Sequence, residues 1–208
     1  MNSITYLLST AYNYLCPEHN EPSKDETSSS SFSLSLGSKA QDSLADHVAS
    51  IYPNRNYQFT PLPNIQKDSN MEVGYQRHKV LDRNEEKPYA SGFELGFVVL
   101  MRSSTHLGVA RIHKTIEPLI SALNEMGAKT KGRFEVFIIA GKASDATKHE
   151  DVCRHIRSFN KLHRQNISIS DDLFRAFDFK GPSPSQVPDV SFAGFDHKAN
   201  PIAVIDYR

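Results

Sequence analysis

The sequence predicts an α/β fold, and three observations carry that expectation. Between Phe93 and Gly141, two apolar runs, an amphipathic helix and a third apolar run follow one another with only short turns between them. FELGFVVLM (93–101) and RFEVFIIAG (133–141) are near-continuous apolar tracts, as in strands buried on both faces. KTIEPLISALNEMGAK (114–129) carries its apolar residues at helical spacing. With the segments that follow, the order becomes β-β-α-β-α-β-β-β. That is an α/β sandwich with helices packed on a mixed sheet, preceded by a largely irregular N-terminal region.

Each element has its own signal. LGVARIH (107–113) is the second strand of an antiparallel pair with 93–101, across the polar turn RSSTH, and Gly108 allows close approach. In the first helix Thr115 is the expected cap and Pro118 sits in the first turn. Ile116, Leu119, Ile120, Leu123 and Met126 form its buried stripe, and Gly127 is the expected C-terminal glycine. The third strand, 133–141, suits the sheet centre. Residues 142–165 form a second helix with Val152, Ile156, Phe159 and Leu162 inside. NISISDDLF (166–174) alternates as a strand, and 190–208 close as a hairpin around HKAN. Upstream, Phe32, Leu34 and Leu36 alternate with serines as one edge strand. Residues 41–52 read as a short helix, residues 1–16 as a short amphipathic one, and 71–81 as a segment containing a strand. The chain thus divides into a flexible Ser-rich arm (1–40), a short helix with a wrapping segment (41–90) and an α/β domain (91–208).

Composition narrows the function classes. Only 38% of the 208 residues are hydrophobic, and these crowd into the second half. Acidic and basic residues balance at 24 each, so no basic face is offered to nucleic acid. Two distant cysteines, Cys16 and Cys153, make no disulfide framework and suit a reducing compartment. No apolar run approaches the roughly 20 residues of a membrane span. The opening MNSITYLLSTAYNYL lacks a secretory signal's pattern. The expected location is the cytoplasm, or outside the cell by a route independent of a signal peptide.

Chemistry-bearing residues are few. No H-E-x-x-H or C-x-x-C occurs, so neither a metal nor another cofactor is expected. His149 and Cys153 stand four apart on one helix face and could hold a soft metal or form a thiolate–imidazole pair. Packing of Cys153 beside Val152 and Ile156 as a small hydrophobe is the favoured alternative. His106 follows Ser103, Ser104 and Thr105, which offers a hydroxyl–imidazole arrangement or, as the favoured reading, a polar turn. Lys142, after a strand and before a helix, could attend an anion at the helix start. Asp171 and Asp172 follow a strand, where catalytic acids often sit, but read better as helix-start residues.

LGVARIH, LISALNEMGAK, RFEVFIIAGKAS and VSFAGFDHKANPIAVIDYR, in that order, resemble the CheD family of chemoreceptor glutamine deamidases over residues 91–208. The resemblance implies that family's α/β fold and a protein partner or substrate, with deamidation by a cysteine thiolate and a histidine. In this register the cysteine position falls near Phe93 or Glu94 and the histidine position on Arg111. A guanidinium stays protonated and is no general base. Glu94 and Arg111 thereby become candidate binding residues. The expectation is a non-catalytic or degenerate CheD-like protein-binding module, with its Ser-rich arm suited to an effector or accessory protein of bacterial type. The alternative is a cysteine-dependent glutamine deamidase or amidohydrolase using Cys153, His149 and His106.

Overall fold

Phe97, Val98, Val99, Leu100 and Met101 are each at most 1% exposed in strand β5 (Phe97–Arg102). A strand covered on both faces has no reason to alternate, which explains its unbroken apolar run. The computed structural model describes residues 33–36, 58–60, 69–92, 96–131, 133–140, 146–164, 166–172 and 188–207, all within one compact unit, Ser31–Arg208. The expected helices at 1–16 and 41–52 lie outside the described residues.

In chain order the elements are β1 (Ser33–Leu36), β2 (Gln58–Thr60), a 3-10 turn (Ser69–Met71), β3 (Arg77–Asp82), β4 (Ala90–Ser91) and β5. There follow β6 (His106–Ile112), helix α1 (Glu117–Thr130), β7 (Arg133–Ala140), helix α2 (Ala146–His163), β8 (Asn166–Asp172), β9 (Pro188–Phe195) and β10 (Pro201–Tyr207). From β5 onward this is the expected β-β-α-β-α-β-β-β order.

Two five-stranded sheets result. One has the order β3-β6-β5-β7-β8 and the other β2-β1-β10-β9-β4. The first is mixed: β5 pairs antiparallel with β6 and β7, while β7 pairs parallel with β8 through the α2 crossover. Its centre is β5 rather than β7, because β6 and β7 both return alongside β5. One face packs Phe97, Val99, Met101, Ala110, Val136 and Ile138 against Leu119, Leu123 and Met126 of α1 and Val152, Ile156 and Phe159 of α2. On the other face Val98, Leu100, Leu107, Val109, Phe137 and Ile139 are fully buried. The second sheet, whose β9 packs against β5, covers that face.

The details depart from expectation in instructive places. β1 lies inside its sheet, not at an edge, with β10 on one side and β2 on the other, both parallel to it. Helix α1 starts after Ile116 with no side-chain cap. Thr115 is engaged elsewhere: Gln76 Nε2 donates to its hydroxyl (2.8 Å) and carbonyl (3.2 Å). Gln76 Oε1 accepts from the backbone N–H of His113 (2.5 Å) and Lys114 (2.7 Å), so one distant glutamine clamps the β6–α1 connection. The helix runs past Gly127, which is buried within it, and ends at Lys131 in the left-handed conformation (φ 53°). Asp171 and Asp172 pair with β7 as the end of β8, so they start no helix. Gly108 faces Met101 and Met126, where a Cβ would come within 3.3–3.4 Å of their side chains; the close approach expected there is made.

Candidate functional site

Helical spacing brings one sequence-selected pair together. Cys153 Sγ lies 3.7 Å from His149 Nε2, one turn apart on α2. The thiol residue is 5% exposed and the histidine 6%. The imidazole tilts over the Phe97 ring, centroids 6.1 Å apart. Cys153 is also part of the helix–sheet core with Val152 and Ile156. A thiol can attack only a substrate that reaches it, and here the approach is filled by packed side chains.

His106 stands apart from this pair. It opens β6, whereas Phe97, against His149, pairs with Ile112 at that strand's far end. Six residues of strand put roughly 20 Å between these ends. His106 Nδ1 meets Thr105 Oγ1 at 2.9 Å. The neighbouring Ser103 hydroxyl accepts from the N–H of Thr105 (3.2 Å) and His106 (2.8 Å) and donates to the His106 carbonyl (3.1 Å). A hydroxyl committed to closing a turn is no nucleophile, so the RSSTH segment is the polar turn that its composition suggested.

Arg111 sits on the sheet's other face, next to the last residue of β6. Strand alternation sends Ala110 and Ile112 to the helices and Arg111 away from them. It is 4% exposed, and its cross-strand partner in β5 is Val98. Nη2 donates to the Gly92 carbonyl at 3.1 Å, and the guanidinium carbon lies 3.6 Å from the centre of the Tyr75 ring. Tyr75 donates its hydroxyl to the same Gly92 carbonyl (3.3 Å) and meets the His113 ring edge-on at 5.8 Å. Stacking on an aromatic face suits a guanidinium, being planar and weakly hydrated. Glu94 and Lys142 lie outside the described residues.

Sequence reasoning passed over a second polar group at the other end of the sheet, an open cleft of about 610 Å³ lined by Arg83, Arg102, Arg133 and Glu135 among others. The available signal was in β7 itself: Arg133 and Glu135 occupy the same face as the buried Phe137 and Ile139. Among the described residues no three His, Cys, Asp or Glu side chains gather as a metal site, and no helix is long and apolar enough to cross a membrane. Comparison with family models, curated proteins and solved structures finds no match for this chain.

Proposed function

We propose that the chain is a non-catalytic, CheD-like protein-binding module, in which a buried arginine stands where the resemblance assigns the catalytic histidine. The observation that carries this reading is the environment of Arg111. Its guanidinium is covered by Tyr75 and bonded to Gly92, and in the sheet Arg111 pairs with Val98 of β5 and Arg77 of β3. A permanently charged guanidinium supplies neither the base nor the nucleophile of a deamidase. The balanced charge and the Ser-rich residues 17–40 support an accessory or effector role toward a protein partner.

The test is ammonia release. Full-length protein is incubated with a glutamine-containing chemoreceptor cytoplasmic fragment, and conversion of glutamine to glutamate is read by mass spectrometry. No conversion is expected. One observation favours a second reading, a cysteine-dependent deamidase: the 3.7 Å contact between Cys153 and His149. Conversion that disappears in Cys153→Ala would establish that reading and end the first.

A further inference from the structure

We propose that the open cleft at the β7–β8 end of the first sheet binds a phosphorylated serine or threonine in a peptide segment of a partner protein. The proposal deepens the protein-binding reading and rests on it.

The cleft is built from the sheet. Arg102, Glu135 and Ser168 lie in register across β5, β7 and β8, and Arg133 pairs with Asn166 one step along the same face. Farther along that face, Phe137 and Ile139 are fully buried. The polar row is therefore a shelf, beginning where the apolar cover of the sheet stops.

Its charge is unbalanced in a chain whose formal net charge is zero. Three arginines face one glutamate in the lining. Glu135 is committed to Arg102, whose Nε and Nη2 donate to Oε2 at 2.9 and 2.6 Å. Arg102 is further fixed by Asn200 Oδ1 at 3.3 Å. Among the described residues Arg83 is held by neutral acceptors, the carbonyls of Ser103 (3.3 Å) and Lys198 (3.2 Å), which set its position without cancelling its charge. Arg133 is exposed and has no hydrogen-bond or ion-pair partner among the described residues. The surplus is two positive charges, which a phosphomonoester of nearly two negative charges matches better than one carboxylate. Guanidinium forks fit phosphate oxygens in bidentate geometry. A volume of about 610 Å³ far exceeds one phosphate, and the opening is wide. Asn166 and Ser168 add neutral hydrogen-bonding groups beside the arginines, as a peptide flanking the phosphate requires.

The experiment is fluorescence anisotropy with full-length protein and labelled degenerate nonapeptide pools. The pools are identical except for a central phosphoserine, serine or glutamate. Inorganic phosphate serves as competitor. The phosphoserine pool is expected to bind at least tenfold more tightly than the other two, with affinity falling as salt rises. Arg133→Glu should abolish that preference while leaving the circular dichroism spectrum intact. Lys114→Glu, an exposed site just beyond the far end of β6, should leave it unchanged. Equal binding of all three pools, or full binding by Arg133→Glu, would overturn the proposal. So would displacement by inorganic phosphate at the concentration of the peptide itself, which would identify free phosphate as the ligand. Deamidase turnover would overturn the module reading whatever the peptides do, whereas absent turnover with no phosphopeptide preference would sink this inference alone.

Discussion

The guanidinium carbon of Arg111 stands 3.6 Å from the centre of the Tyr75 ring, and both side chains donate to the carbonyl of Gly92. Three points distant in sequence are tied together around one buried charge. Arg111→Ala should therefore cost about 3 kcal/mol, since it removes packing and a charge-assisted hydrogen bond together. Tyr75→Ala should cost about 1 kcal/mol, because the ring is half exposed. In a double-mutant cycle by urea unfolding the two should couple by roughly 1 kcal/mol. Strict additivity would show that the stacking contributes nothing to stability.

Cys153 should resist alkylation in the native state. Site-resolved mass spectrometry after iodoacetamide treatment is expected to find it unmodified in buffer and modified in urea. Cys153→Ser should cost about 1–3 kcal/mol, because the hydroxyl enters an apolar core. Rapid native labelling would show that the thiol is reached from solvent.

Two glycines with positive φ should respond differently to alanine. At Gly96 (φ 88°) a Cβ would fall 2.0 Å from the carbonyl oxygen of Ile112, so the β5–β6 pairing would have to open at its first rung. A loss of about 3 kcal/mol or more is expected. At Gly92 (φ 56°) nothing lies within 4 Å of the added carbon. Only the left-handed backbone penalty remains, about 1–2 kcal/mol. Thermal unfolding of the two variants decides the ranking, and a Gly92→Ala variant less stable than Gly96→Ala would contradict it.

Asn160 holds the start of β8 through a reciprocal pair of hydrogen bonds. Its Nδ2 donates to the Ile167 carbonyl and its Oδ1 accepts the Ile167 N–H, both at 3.2 Å. Asn160→Ala should cost about 2 kcal/mol. Hydrogen exchange at the Ile167 amide should quicken more than at Ile138 in the sheet interior; unchanged exchange there would remove Asn160 from this role.

The sequence revealed most where the signal is local. β5, α1 and most of α2 were legible because burial imposes an apolar run on a covered strand and a 3.6-residue period on a packed helix; Leu162, expected inside with Val152, Ile156 and Phe159, is instead 78% exposed in the last turn of α2. The meeting of His149 and Cys153 was legible for the same reason, being an i, i+4 relation. The partners of Arg111 were not, because Tyr75 arrives from 36 residues upstream and carries no pattern that names its target. The clamp by Gln76 on Thr115 was hidden in the same way: a turn glutamine looks like any polar loop residue until the chain folds back. The arginine shelf was missed because its residues come from a turn and three strands, and only strand register lines them up.

The placement of β1 between β2 and β10 has a consequence for how this protein is made. Ser33 pairs with Ile202, so the ribosome adds about 170 residues before β1 can find that neighbour. At about 5–20 residues per second that is roughly ten seconds or more, during which β1 has only β2 beside it. The first sheet, by contrast, is complete once β8 has emerged. Synthesis therefore produces a half-built protein, helices and one sheet in place, whose apolar underside stays open until the β9–β10 hairpin arrives. A chaperone that shields apolar surface would find its longest opportunity there.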